Sequence, residues 1–101
     1  MFTFDDIIML DDRAIQAVLK EIDNKSLAIS LKGANEEVKT KILSNLSSRA
    51  ADMIREDMEF MGPVRVKQVE EEQQKIVAII RRLEETGDIT VNRGGEDNMV
   101  A

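Results

Sequence analysis

Apolar residues recur along this chain at intervals of three and four, the period of helices that bury one face, and short polar clusters interrupt the pattern about every dozen residues. The first stretch, Phe4 to Leu10, reads as a short helical turn that stops at Asp11 and Asp12. Either acid can cap the next helix, whose Ile15, Val18, Leu19 and Ile22 fall on one face. Asp23 or Asn24 caps a third helix with Leu27, Ala28 and Leu31 inside. Gly33 is expected to end it in the left-handed conformation that residues with a Cβ resist. Asn35 caps a fourth, with Glu36 and Glu37 at the positive end of the helix dipole and Val38, Ile42 and Leu46 as its inner row. Ser47 caps a fifth, which Gly62 and Pro63 end. The longest helix runs from Val64 or Val66 to about Thr86, with Val66, Val69, Gln73, Ile76, Ile80 and Leu83 as its inner stripe and Gly87 as its stop. Barely three heptads with Gln in the middle favour the stripe of a globular bundle over a coiled-coil seam.

These elements predict an all-α fold: a compact right-handed stack of about six helices, armadillo-like, closed by its longest, C-terminal helix. The echo between IDNKSLAISLKGANEEV and KILSNLSSRAADMI is compatible with a degenerate helical repeat. Beyond the last helix, DITVNR reads as a short extended tail, and GGEDNMVA, residues 94–101, reads as disordered.

Composition narrows the chemistry. A chain of 101 residues, 43% of them hydrophobic, supports one domain with one core. It contains no Cys and no His, which removes thiolates, disulfides and the commonest general base and metal ligand. Three Phe are its only aromatics and its net charge is −6, a poor match to exposed bases and phosphate backbones, so nucleic acid is not an expected partner. No apolar run reaches the roughly 20 residues that span a bilayer, and MFTFDD lacks the features of a secretion signal. No direct membrane insertion and a cytosolic setting are therefore expected. Asp5 with Asp6, Asp11 with Asp12, and Glu70 to Glu72 are read as caps and solvated faces. Adjacent helical residues point about 100° apart and seldom share a metal or a substrate. No catalytic residue, metal ligand or cofactor site is assigned, and the chain is not read as an enzyme.

The fifth helix, Ser47 to Met61, carries the most distinctive surface. Ala50, Ala51, Ile54, Met58 and Met61 fill its apolar arc. At about 100° per residue, Arg49 has Glu56 roughly 20° and Asp52 roughly 60° to one side, whereas Asp57, about 80° to the other side, borders the apolar face. Met53 and Phe60 fall at the edge of this ridge; they could form a small apolar contact site, but partial burial under a neighbouring helix is the stronger expectation for both. Periodicity alone assigns Arg49, Asp52, Arg55, Glu56 and Glu59 to a solvated face with Asp52 as an intrahelical partner. Lys32, just before Gly33, reads on the same footing as a charge capping its own helix, and Arg65 as a partner of loop carbonyls or of Glu70 or Glu71. Phe2 and Phe4, beside Met1, read as core plugs.

The runs SLAISLKGA, KILSNLSSRAADMIREDMEFMGPVR and VEEEQQKIVAIIRRLEETG, in that order and spacing, resemble the FliG C-terminal domain family of the bacterial flagellar motor switch. The opening MFTF resembles the family's Met-Phe-x-Phe hinge, which divides the chain into a hinge segment at 1–4 and a helical domain at 5–93. The resemblance implies a rotor component of the C-ring, in the flagellar basal body at the cytoplasmic face of the inner membrane. Its charged helix would face the cytoplasmic loop of the stator protein MotA and pass torque across that contact. The family's functional charges fall on Lys32, Arg49, Glu56, Asp57 and Arg65, and its hinge on Met1, Phe2 and Phe4. Many relatives have Asp where this chain has Glu56, one methylene longer. Neighbouring FliG subunits would be partners in the ring, and FliM and FliF would bind upstream domains that this chain lacks. A hinge able to repack would serve directional switching in chemotaxis. The competing expectation is a regulatory stacked-helix cytoplasmic domain of a magnesium transporter, which resembles this chain in helix pattern and acidic charge.

Overall fold

A computed structural model describes residues 2–91, and within them the chain is all helical. A short 3-10 helix, Phe4–Met9, is followed by α1 (Asp12–Leu19), α2 (Asn24–Lys32), α3 (Glu36–Leu43), α4 (Ser48–Met61) and α5 (Val66–Glu85). Met1 and the tail expected at 94–101 lie outside the described residues.

Four starts follow directly from side-chain chemistry. The Asp11, Asp23 and Asn35 side chains accept the backbone N–H groups of Ala14, Ser26 and Val38 at 2.8, 2.7 and 2.8 Å, and the Ser47 hydroxyl accepts that of Ala50 at 3.1 Å. Each bond satisfies a donor that the helix itself cannot, worth about 1 kcal/mol. Where the sequence left Asp11 or Asp12, and Asp23 or Asn24, as alternatives, the first of each pair is the cap. At the far end, α5 closes in a Schellman motif: the N–H groups of Gly87 and Asp88 donate to the carbonyls of Glu84 and Leu83 at 3.1 and 2.8 Å.

Helix α2 lies at the centre, packed against both α4 and α5. Five consecutive residues, Leu27 to Leu31, are buried, so α2 has no solvated face along this stretch and its small Ala28 and Ser30 let neighbours approach closely. Its Ser30 carbonyl accepts the Gln73 amide of α5 at 3.0 Å, which explains a polar residue in the middle of the inner stripe of α5. The 3-10 helix packs on α3 and α5, and α1 on α5. Asn45 ties the end of α3 to α1, donating to Asp12 and accepting from Gln16 at 3.2 Å each. Phe2, Phe4, Ile7 and Leu10 join the same core, as do Ile89 and Val91, so the segment after α5 folds back onto the body.

Two expectations need correction. Gly33 has φ −103°, outside the left-handed region, so its role is not a helix stop of that kind. It is a point of close approach: a Cβ there would lie 2.5 Å from Val69 Cγ1. Val66, placed on the inner stripe by its spacing, is 73% exposed. It is the first residue of α5, and the stripe becomes buried only from Val69 onward.

Candidate functional site

The charged ridge is the outer face of α4. Ala51 and Ile54 anchor the helix in the core, and Met58 and Met61 pack against that core from partly buried positions. The Ser47 cap fixes where α4 starts. Gly62, at φ 62°, fixes where it ends, in backbone space that a side chain would strain. Between these limits Arg49, Asp52, Arg55, Glu56 and Glu59 are all exposed.

The charges on this face are not equivalent. Asp52 pairs with Arg55 at 3.8 Å, an i,i+3 contact on the surface. Arg49 and Glu56 have neither an ion pair nor a side-chain hydrogen bond among the described residues. Geometry explains why they do not pair with each other: seven residues apart on a helix, they are separated by roughly 10 Å along the axis. Asp52 is thus an intrahelical partner, as its position suggested, and the cation it takes is Arg55.

The other three assigned residues are spread around α4. Lys32 donates from Nζ to the backbone carbonyl of Met58 at 3.2 Å. That carbonyl lies in the last turn of α4, where no amide within the helix reaches it, so Lys32 caps the neighbouring helix and not its own. Lys32 also lines an open groove of about 810 Å³ between α3 and α4, with Lys39, Asp52, Arg55 and Glu59. Asp57 is half-buried on the opposite flank of α4, in a shallow depression shared with Lys25, Phe60 and Met61. Arg65, the N-cap residue of α5, is exposed with no side-chain cap bond and no ion pair to Glu70 or Glu71. Of the five charges, Arg49 and Glu56 share the outermost face, Lys32 and Asp57 flank it, and Arg65 follows the Gly-Pro turn.

Two residues of the ridge depart from expectation. Phe60 is 89% exposed and Met53 is 49% exposed, with no neighbouring helix covering either. Their angular positions already placed them beside Arg49. The expectation of burial came from residue type alone, and helix phase overrides it here.

The paired acids elsewhere are engaged in local structure. Asp6 accepts the Thr3 backbone N–H at 2.9 Å, Asp11 caps α1, and Glu72 pairs with Lys75 at 3.1 Å. Ser26 lies between Asp23 and Glu72 and holds both carboxyls below their ordinary range. For Asp23 the main cause is the bond from the Ser26 backbone N–H, and for Glu72 it is the Ser26 hydroxyl, which outweighs the effect of burial. The Glu72 Oε1 is nevertheless buried without a hydrogen bond of good geometry. Phe2 and Phe4 are buried in the core, as plugs would be, while Met1 falls outside the described residues. No helix among the described residues is long and apolar enough to cross a membrane.

Comparison with known proteins agrees with this architecture. The family model of the FliG C-terminal domain matches residues 1–91. The flagellar motor switch protein FliG of Thermotoga maritima is 56% identical over 100 residues, which cover 99% of this chain and 30% of that protein. Its counterpart in Borreliella burgdorferi is 57% identical over 100 residues, covering 99% and 29%. A crystal structure of a FliG segment from Helicobacter pylori superposes with a TM-score of 0.88 at 42% identity, over 91% of this chain and 40% of that one. Full-length FliG from Aquifex aeolicus gives 0.83 at 48% identity, over 86% and 27%. The chain thus spans less than a third of the length of these curated relatives.

Proposed function

The chain belongs to the FliG C-terminal domain family, and on that premise we propose that it is the stator-facing part of a flagellar rotor, meeting the cytoplasmic loop of MotA through the outer face of α4. The family assignment removes the ground for the magnesium-transporter alternative. One observation carries the proposal: Arg49 and Glu56 are exposed on the same face of a well-anchored helix and have no partner among the described residues. On the same helix Asp52 and Arg55 pair with each other, which leaves Arg49 and Glu56 available to an outside partner. Exposed charges of both signs suit a contact that must form and break on each step. They steer encounter and set register, while each pair contributes only about 0.2–1 kcal/mol.

Within this proposal the five charges have different duties. Arg49 and Glu56 touch the stator directly. Lys32 acts mainly by fixing the end of α4, and Asp57 and Arg65 border the contact. Phe2 and Phe4 are a reorientation joint together with Met1. Their rings sit in the core, so a turn of the preceding segment must move them, and core aromatics that repack give a switch its two states. Neighbouring FliG subunits would complete the ring, with FliM and FliF engaged by domains outside this chain, at the cytoplasmic face of the inner membrane.

The test is charge reversal. Arg49→Glu should lower torque in a rotating motor while leaving helicity and melting temperature near wild type, and a compensating reversal on the stator loop should restore rotation. Normal torque from the single variant, or failure of every stator reversal to rescue it, would refute the assignment.

A further inference from the structure

The exposed face of α4 holds more than charge. Arg49, Met53, Glu56 and Phe60 follow one another at intervals of four, three and four residues, a straight seam along about three turns of helix, roughly 16 Å long. All four are exposed. Phe60 is an aromatic ring almost wholly in solvent, in a chain whose other two Phe are buried. Around it stand Glu56 and Glu59, exposed, and Asp57, half-buried, none of them in an ion pair among the described residues.

Resting on the stator reading above, we infer that this seam is a helix-docking surface, and that the stator segment it takes is an amphipathic helix with an apolar residue seated on Phe60 and Met53. Charge complementarity fixes the rest of the occupant. Three carboxylates ring the Phe60 end, so the docked helix carries cations on both sides of its apolar residue. At the other end it carries an acid opposite Arg49. Side chains that repeat every three or four residues form a ridge of the kind that packs into the grooves of another helix. The division of labour follows: the exposed charges set register and on-rate, and the ring supplies the part of the affinity that salt does not screen.

The experiment compares three variants of the full rotor protein in a rotating motor: Phe60→Ser, Phe60→Leu and Arg49→Glu, each checked for an unchanged melting temperature in the isolated chain. Phe60→Ser should lower stall torque to less than half, Phe60→Leu should keep most of it, and raised ionic strength should weaken Phe60→Ser more steeply than wild type. Wild-type torque from Phe60→Ser alongside failure of Arg49→Glu would overturn the seam and leave the charge contact standing. Wild-type torque from Arg49→Glu would instead overturn the stator reading itself. Self-association of the purified chain that Phe60→Ser abolishes would assign the seam to a second copy and also overturn the inference.

Discussion

Replacing Gly33 with Ala sets two physical effects against each other. The backbone there, at φ −103°, is open to any residue, so Ala would ordinarily stabilise by reducing the freedom of the unfolded chain, by about 0.4–1 kcal/mol. The added Cβ, however, would lie 2.5 Å from Val69 Cγ1, 3.6 Å from Val69 Cβ and 3.4 Å from Gln73 Nε2. Val69 is β-branched and buried, with little rotameric freedom to move aside, and overpacking of this kind costs about 1–3 kcal/mol. Displacing Gln73 would also weaken its bond to the Ser30 carbonyl, a further ~1 kcal/mol. The clash wins, leaving a net loss of about 1–3 kcal/mol. For a domain of this size that lowers the melting temperature by roughly 5–15 °C. Circular dichroism melts of wild type, Gly33→Ala, Val69→Ala and the double variant give the answer. Gly33→Ala should cost clearly less once Val69 is Ala, because the clashing methyl is gone. An unchanged or raised melting temperature for Gly33→Ala alone would refute the close approach of α2 and α5 on which the position of Lys32, and so of the end of α4, depends.

Other outcomes follow from the same contacts. Lys32→Met keeps the aliphatic stem but loses the bond to the Met58 carbonyl, so it should destabilise the domain by about 0.5–1.5 kcal/mol, whereas Arg49→Glu should stay within about 0.5 kcal/mol of wild type in a denaturant titration. Ser30→Ala removes a hydroxyl that is buried without a hydrogen-bond partner, so equilibrium unfolding should show no loss and a gain of up to about 1 kcal/mol. Asp23 and Glu72 have folded-state pKa values below 3.8 and 4.5, so the stability they confer is present above those values and is lost as pH falls through the lower, folded ones. An acid melt series should therefore show a steepening loss below about pH 4, and Ser26→Ala should shrink the part due to Glu72.

Helix phase and capping chemistry made most of the fold readable in advance. Asp11, Asp23, Asn35 and Ser47 cap the helices that their positions announced, and Val38, Ile42, Ile76 and Ile80 are buried as their spacing required. Local rules failed where a distant element decides. Gly33 looked like a left-handed stop because it lacks a Cβ, but its constraint comes from Val69, far along the chain. Lys32 looked like a cap on its own helix, but the carbonyl it serves belongs to α4, and only the packing of α2 on α4 reveals that. The fold-back of Ile89 and Val91 onto the core was likewise hidden, because two apolar residues after a helix stop carry no period. In the candidate site, the angles of Arg49 and Glu56 were legible from periodicity. Their lack of partners was not, since Asp52 had two cations within reach and only the structure places it with Arg55.

The chain has no native Cys, so single introduced thiols give an unambiguous readout of what α4 faces. Met53→Cys lies on the seam between Arg49 and Glu56, and Glu70→Cys lies on the exposed side of α5. Paired with cysteines along the stator loop in a motor that rotates, Met53→Cys should crosslink to the loop rapidly and Glu70→Cys should not. Equal yields at the two positions, or crosslinking at Glu70 alone, would contradict the claim that the outer face of α4 is where this domain meets the stator.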